Sequence, residues 1–212
     1  MLPVLLGTTN PAKVQRFTAL LAGCGTQILT PAMLDIPGVP EETGATPLEN
    51  ARLKAAYYGG FCDRVICNDS GLYIEDLEQC DPRQPGMRVR SPRGARLDDA
   101  QMIAHYSALA HRLGGRMTAY YLDGVAAGCS GEVMGFMDEE YARRSAFWMV
   151  ETPHPARHPG WPLDSLSVDR GTGKYFVEDS PADCERDHVF QREYWNKLRA
   201  FLLEALRLET RS

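Results

Sequence analysis

Two short apolar runs near the start of the chain, each followed at once by polar residues, constrain the fold more than any other feature. The run PVLLG at residues 3–7 ends in TTNPAK, after which apolar residues recur at helical spacing. The run RVIC at residues 64–67 has the length and composition of a buried strand, and NDSG directly after it predicts a turn. LYIEDL at residues 72–77 is compatible with a further strand. In sheets built from such units, ligands gather at the carboxyl ends of the strands. We therefore expect both polar groups to lie at such ends.

The rest of the chain alternates between helical and strand patterns. Helices are predicted in four places: from Pro11, from Thr46 to about Tyr58, across residues 98–112, and from about Phe190 to Leu208. Three Pro- and Gly-rich stretches predict loops, at residues 31–45, 78–96 and 151–173. Residues 117–137 predict two strands joined through a Gly-rich turn. The whole predicts a single α/β domain over residues 1–212, with a mixed, partly antiparallel sheet flanked by helices.

Composition excludes several classes of function. No apolar run approaches the ~18 residues needed to cross a bilayer. MLPVLLGTTN lacks a basic n-region, so it predicts a first strand and a cytoplasmic protein. A net charge of -5 argues against a protein that grips a nucleic-acid backbone. The six cysteines include no CxxC pair, which argues against a zinc site and favours free thiols.

Polar residues in the first two helices have the character of an anion site. Thr8, Asn10 and Lys13 flank the start of the first predicted helix, where unpaired amides and the helix dipole favour negative charge. Asn50 and Lys54 are four residues apart, so they share one face of the second helix. Both lysines also fit ordinary solvated helix positions.

Two carboxylates, Glu49 and Asp69, suit Mg²⁺, which takes hard oxygen ligands and completes its shell with water and phosphate. Each also has a structural interpretation. Thr46 and Glu49 fit a capping box in which Glu49 reaches back to the Thr46 amide. Asp69 fits a DSG turn in which its side chain caps its own backbone.

Four ordered motifs together resemble the inosine triphosphate pyrophosphatase family: TxNxxK at residues 8–13, ETGATPLENARLKA at 42–55, DSGL at 69–72 and PGM at 85–87. The resemblance is close through the first 90 residues and patchy beyond. It implies the family's architecture, with a cleft between two lobes, and a homodimer. It also implies Mg²⁺-dependent attack on the α-phosphorus of ITP, dITP or XTP, giving pyrophosphate and a nucleoside monophosphate.

The resemblance carries roles over to individual residues. Glu49 and Asp69 would hold Mg²⁺ and act in catalysis, with one of them orienting the attacking water. Other residues of the four motifs would bind the substrate: Thr8, Asn10, Lys13, Asn50, Lys54 and Ser70.

The C-terminal half departs further from the family. GWPLDS at residues 160–165 can be laid on the family's base-stacking segment, which implies base contacts for Trp161, Asp164 and Lys174. The family's SHR motif survives only as Asp187, His188 and Val189, so its arginine is missing. The resemblance places His188 at the substrate. Trp161 also fits a core or lid anchor.

Two alternative functions remain open. The same chemistry on a pyrimidine or other modified nucleotide occurs in the Maf-like pyrophosphatases, which share the general architecture. A nucleotide-binding protein with little turnover is suggested by Asn68, which replaces the first residue of the family's acidic pair, and by Val189. The retained carboxylates Glu49 and Asp69 favour an enzyme.

Overall fold

Two compact units make up the protein in the computed structural model, which describes residues 1–92, 94–178 and 188–209, with only the backbone of residues 188–190. The first unit contains Met1–Ser70, Asp123–Asp138 and Gln191–Ser212, and the second contains Gly71–Leu122 and Glu139–Phe190. The single-domain interpretation and the cleft between two lobes stay predictions.

Helices and strands alternate along the chain, as the sequence predicts. The strands are β1 (Leu2–Leu6), β2 (Thr26–Leu29), β3 (Arg64–Ile74), β4 (Arg116–Cys129), β5 (Glu132–Met137), β6 (Phe147–Val150) and β7 (Ser167–Val168). The α-helices are α1 (Pro11–Leu20), α2 (Pro47–Tyr58), α3 (Asp99–Arg112), α4 (Glu139–Arg144) and α5 (His188–Ala205). Short 3-10 helices cover Pro31–Leu34, Pro162–Ser165 and Phe176–Glu178.

The strands form one mixed sheet. Within the described residues its order is β2-β1-β3-β4-β6-β7, with β5 paired to β4. β1 runs parallel to β2 and β3, whereas β4 is antiparallel to β5 and β6. At the β4–β5 turn, Ser130 and Gly131 both have positive φ angles, 53° and 86°, as a tight two-residue hairpin requires. The predicted mixed, partly antiparallel sheet is confirmed.

The turn predicted at NDSG is wrong, because β3 runs straight through it to Ile74. β1 pairs with β3 only as far as Ile66. Beyond that point β3 continues, and Leu72 and Ile74 are buried in the core of the second unit. Burial of these side chains favours an extended chain over the turn that Asn, Asp and Gly would otherwise permit. Asp69 therefore lies within a strand, just past the end of β1.

Side-chain caps explain where the helices begin. The Asn10 side chain accepts a hydrogen bond from the Ala12 amide and caps α1. At α3, Asp98 and Gln101 form a full capping box, each side chain accepting from the other's backbone amide. The predicted starts of both helices are confirmed.

Small residues bring α2 close to the sheet of the first unit. Ala51, Ala55 and Tyr58, at positions i, i+4 and i+7, are buried in a core that also contains Val65 and Ala126. Asn50 and Lys54 each precede one of the two alanines, so they lie at the border of this buried face. The packing of α2 thus places two polar side chains against the strands.

The described cysteines, Cys24, Cys62, Cys67, Cys80 and Cys129, are free thiols, as predicted. Burial raises the pKa of the Cys67 thiol to about 12. Among the described residues, no helix has the length and apolar character needed to cross a membrane.

Candidate active site

Asp69 is held by two side chains of α2. Asn50 Nδ2 donates a hydrogen bond to Asp69 Oδ2 at 2.8 Å, and Lys54 Nζ lies 3.4 Å from Asp69 Oδ1. Asn50 is itself 1% exposed, and its Oδ1 accepts from the Gly44 amide at 2.7 Å. With both oxygens bonded, the Asp69 carboxylate is fixed in orientation. The alternative that Asp69 caps its own turn is wrong.

Lys54 is a buried cation between two carboxylates. It is 8% exposed, and Nζ lies 2.6 Å from Glu42 Oε1 in addition to its contact with Asp69. Burial acts to lower the pKa of Lys54, but the two carboxylates outweigh it, so the pKa lies above its ordinary value. The alternative of a solvated Lys54 is wrong. Glu42 begins the motif at residues 42–55, but its contact with Lys54 was not predicted, because its Pro- and Gly-rich loop has no periodic pattern that indicates it.

Glu49 has a backbone contact that differs from the predicted one. Thr46 Oγ1 accepts from the Glu49 amide at 3.1 Å, as in a capping box, but Glu49 Oε2 accepts from the amide of Ala45 at 2.7 Å and not from that of Thr46. The cap is thus made to the residue one position farther out. The Glu49 side chain is exposed. Glu49 directly precedes Asn50, whose side-chain amide contacts Asp69. A capping role and a ligand role are compatible, because only one oxygen is used by the cap.

The start of α1 presents polar groups and a half-buried cation. Thr8 Oγ1 accepts from the Asn10 amide at 3.1 Å. Lys13, one turn farther on, has no hydrogen-bond or ion-pair partner within the described part of the chain. Burial lowers its pKa from 10.5 to about 8; Arg16 acts in the same direction and Asp123 opposes.

An open pocket of about 440 Å³ adjoins the start of α1. It is lined by Thr8, Thr9, Pro11, Val14, Gln15, Thr30 and Ala32. Thr8 thus lies at a space large enough for part of a small ligand.

A second polar network, which the sequence analysis missed, surrounds Arg16. Arg16 Nη1 forms an ion pair with Asp123 Oδ2 at 3.1 Å, and Nη2 donates to Asn68 Oδ1 at 3.3 Å. Ser70 Oγ donates to the other Asp123 oxygen at 2.5 Å. Burial acts to raise the pKa of Asp123, but the positive charges of Arg16 and Lys13 outweigh it and leave the pKa below its ordinary value. The only sequence signal was the repetition of charged and polar residues three positions apart on α1.

Asn68 has a structural use that a carboxylate would not serve. It is buried, and its Nδ2 donates to the carbonyl oxygens of Gly124 at 3.0 Å and of Asp69 at 3.1 Å. A carboxylate has no hydrogen to donate, so aspartate there would face two carbonyls without a bond. Asparagine therefore suits this position better than the aspartate of the family's acidic pair.

Glu49 and Asp69 carry the carboxylate oxygens that suit a magnesium ion, and their role as its ligands stays a prediction. Both offer carboxylate oxygens, and Mg²⁺ is commonly bound by one or two carboxylates, with water and substrate phosphate completing the shell. Among the described residues, no group of three or more His, Cys, Asp and Glu side chains could hold a metal ion. Two carboxylates therefore suit a cation that arrives with its phosphate ligand better than a resident structural metal.

The residues predicted to contact the base belong to the second unit. Trp161 is half-buried and precedes the 3-10 helix Pro162–Ser165. Asp164 Oδ2 lies 3.0 Å from His158 Nδ1; burial raises the pKa of Asp164, and the bond to His158 opposes this. Lys174 is exposed in a tight turn closed by its carbonyl and the Asp169 amide. The base-contact roles of these residues stay predictions.

His188 is the first residue of α5, but its side chain lies outside the described residues. Its predicted substrate contact therefore stays a prediction.

Comparison with known proteins gives a family assignment. The model of the Ham1 family matches residues 4–139. A protein named dITP/XTP pyrophosphatase from Leptospira interrogans is 32% identical over 149 residues, covering 65% of this chain and 72% of that protein. A protein of the same name from Geobacillus kaustophilus is 36% identical over 107 residues, covering 49% of this chain and 50% of its own length.

Solved structures show the same fold. A HAM1 protein from Coxiella burnetii superposes with a TM-score of 0.72 at 20% identity, covering 97% of this chain and 100% of that one. The Ham1 protein of Staphylococcus aureus gives a TM-score of 0.69 at 20% identity, covering 95% and 98%. Because the family model matches residues 4–139, more than half of the chain, the chain belongs to the Ham1 family.

Proposed function

We propose that this protein hydrolyses ITP, dITP or XTP to the nucleoside monophosphate and pyrophosphate, with Mg²⁺ as cofactor. The observation that carries the proposal is the Asp69 carboxylate, fixed by Asn50 and Lys54 beside a strand end. The relatives' name, dITP/XTP pyrophosphatase, supports the substrate class. In phosphoryl transfer the protein mostly positions the reacting groups and neutralises charge. A fixed carboxylate with cations near it can do both.

The chain's own residues divide the work as follows. Asp69 orients the water that attacks the α-phosphorus and accepts its proton, because its two oxygens are already aimed by α2. Lys13 and Lys54 neutralise charge on the triphosphate, and the polar groups of Thr8 and Asn10 lie next to the same anion at the start of α1. The bond from the α-phosphorus to its bridging oxygen breaks, and pyrophosphate leaves.

Glu49 and Asp69 would hold the magnesium ion. The ion would supply positive charge to the phosphate oxygens beside the two carboxylates that bind it. Homodimer formation and a cytoplasmic location also stay predictions.

A panel of nucleoside triphosphates assayed for pyrophosphate release with Mg²⁺ tests the function. We expect kcat/KM for dITP, ITP or XTP to exceed that for pyrimidine triphosphates by about tenfold or more, since a site that hydrogen-bonds one base leaves groups unpaired with another. Chelation with EDTA should remove activity, and added Mg²⁺ should restore it. Fastest turnover of a pyrimidine triphosphate would favour the Maf-like alternative. Tight nucleotide binding without pyrophosphate release would instead favour a binding protein.

Substrate affinity should fall in mildly alkaline solution. Lys13 has a pKa of about 8, so it is cationic below that pH and loses its charge above it, whereas the raised pKa of Lys54 keeps that residue charged. Loss of one charged contact to phosphate should raise KM by about tenfold between about pH 7 and about pH 9.5. Steady-state kinetics across this range provide the measurement.

Lys13→Arg is the control for this titration, because arginine keeps its charge throughout the range. Its KM should change little with pH. If the KM of the wild type and of Lys13→Arg rise in parallel, a group other than Lys13 is responsible.

A further inference from the structure

The two faces of β3 are held by different parts of the protein at the site. Side chains alternate along a strand, so Asn68 and Ser70 point to one face and Asp69 to the other. Asp69 is bonded by Asn50 and Lys54 of α2. The other face therefore needs its own anchor if the strand is to stay in place.

Asp123 of β4 supplies that anchor. Its Oδ1 accepts from Ser70 Oγ at 2.5 Å, and its Oδ2 pairs with Arg16 Nη1 at 3.1 Å. Arg16 in turn donates through Nη2 to Asn68 at 3.3 Å. One carboxylate thus reaches both neighbours of Asp69, directly at Ser70 and through Arg16 at Asn68.

Arg16 is held firmly enough to act as a link. Its guanidinium carbon lies 5.1 Å from the centre of the Phe17 ring and 5.9 Å from that of Trp195. The side chain is largely buried, and Nε is the one buried side-chain nitrogen or oxygen of the described residues that lacks a hydrogen-bond partner. Because Nε has no partner, removal of the Asp123 carboxylate would leave the buried Arg16 charge without a compensating anion. The position of Arg16 therefore depends on Asp123.

We propose that Asp123 is a positioning residue of the hydrolytic site: by holding Ser70 and Arg16, it fixes the β3 backbone on both sides of Asp69 and so aims the Asp69 carboxylate. This inference rests on the function proposed above. It adds a residue on β4 that, within the described part of the chain, bonds to Ser70 and Arg16 and not to Glu49 or Asp69. Since a reacting group misplaced by about 1 Å costs about a hundredfold in rate, even a small shift of β3 would be measurable.

The test compares Asp123→Asn, Ser70→Ala and the double variant in pyrophosphate release from dITP with Mg²⁺. Asp123 also raises the pKa of Lys13, so kinetics are measured at about pH 6, where Lys13 is charged. Under these conditions Asp123→Asn should lower kcat by about tenfold or more while KM changes by less than about threefold, because no direct phosphate contact is removed. Ser70→Ala should also lower kcat with little change in KM, whereas a rise in KM alone would mean that Ser70 acts through its predicted substrate contact. The double variant should be no slower than the slower single variant, because both changes break one chain of contacts.

Glu132→Gln is the matched control. Glu132 lies on the β4–β5 hairpin and pairs with Arg207 at 2.6 Å, but both side chains are exposed, so its kcat should equal that of the wild type. Thermal unfolding of every variant is recorded alongside. If Asp123→Asn does not fold, Ser70→Ala still decides, since it removes the link to Asp123 and keeps the ion pair with Arg16.

Three results would overturn the inference: a kcat for Asp123→Asn equal to that of Glu132→Gln, single-variant losses that multiply in the double variant, or a Ser70→Ala variant with wild-type kcat. In each of these cases the wild type still releases pyrophosphate, so the proposed function stands. A wild type that hydrolyses no triphosphate would overturn the function and the role of Asp123 together.

Discussion

Replacing Asp69 by Asn is expected to lower kcat for the preferred triphosphate by about a thousandfold, because the amide can neither accept a proton from water nor bind Mg²⁺ as a carboxylate does. The fold should survive the change. Asparagine has the same shape, and Lys54 keeps its second carboxylate partner, Glu42, at 2.6 Å. Pyrophosphate release under saturating dITP and Mg²⁺ measures the effect, and circular dichroism with thermal unfolding verifies the fold.

Asp63→Asn is a suitable control for this variant. Asp63 is exposed, directly precedes β3, and undergoes the same change of charge six positions before Asp69 along the chain. Its activity should equal that of the wild type. Activity of Asp69→Asn within about tenfold of the control would show that the catalytic carboxylate lies elsewhere.

Local sequence signals predicted the elements that build the site. Apolar runs predicted β1 and, through RVIC and LYIEDL, the two ends of β3. Capping residues predicted the starts of α1 and α3. The apolar face predicted for the last helix is confirmed, since Leu198, Leu202 and Leu206 are buried. These features depend on neighbours within a few positions, which a single sequence contains.

Elements that depend on distant partners were missed. β7 has two residues, Ser167 and Val168, and exists only because β6 lies beside it. It falls in a stretch predicted to be a loop. The turn predicted at NDSG is wrong because local preference was overridden. Its residues favour turns, but the sheet and the buried Leu72 and Ile74 hold the segment extended.

Within the site, too, contacts between nearby residues were predicted and contacts between distant residues were missed. The four-residue spacing of Asn50 and Lys54 predicted that both would lie on one side of α2, and both contact Asp69. Nothing local connects Arg16 with Asp123, which lie 107 positions apart in the sequence. Only the pairing of α1, β3 and β4 in space brings such residues together.

The family match supports the predicted phosphate-binding residues more than the predicted base-binding residues. It covers residues 4–139, which contain Glu49, Asp69 and Asp123. Trp161, Asp164, Lys174 and His188 lie beyond it, in the part of the chain where the resemblance is patchy. The phosphate chemistry therefore has two independent lines of support, the contacts around Asp69 and the family match, whereas base selection depends on the nucleotide panel.

The close approach of α2 to β4 is what places Asn50 and Lys54 against Asp69, and Gly124 permits that approach. A Cβ built on Gly124 would lie 2.2 Å from the backbone nitrogen of Leu48 and 2.4 Å from the carbonyl carbon of Pro47. Both are backbone atoms of the first turn of α2, so no side-chain rotation can relieve the overlap. The Gly124 carbonyl also accepts the hydrogen bond from Asn68, which ties the same point of β4 to β3.

Gly124→Ala is therefore expected to lower the free energy of unfolding by about 3 kcal/mol, the upper range for overpacking a core. The fraction that folds should also lose activity, because the helix turn carrying Glu49 and Asn50 must shift. Urea denaturation and dITP hydrolysis provide the two measurements. Gly60→Ala is the matched control: its Cβ would meet only the Tyr57 carbonyl oxygen, at an ordinary 3.4 Å, so the free energy of unfolding should change by less than about 1 kcal/mol. Equal urea midpoints for the two variants would mean that the first turn of α2 does not lie against β4, and the arrangement of Asn50 and Lys54 around Asp69 would lose its structural basis.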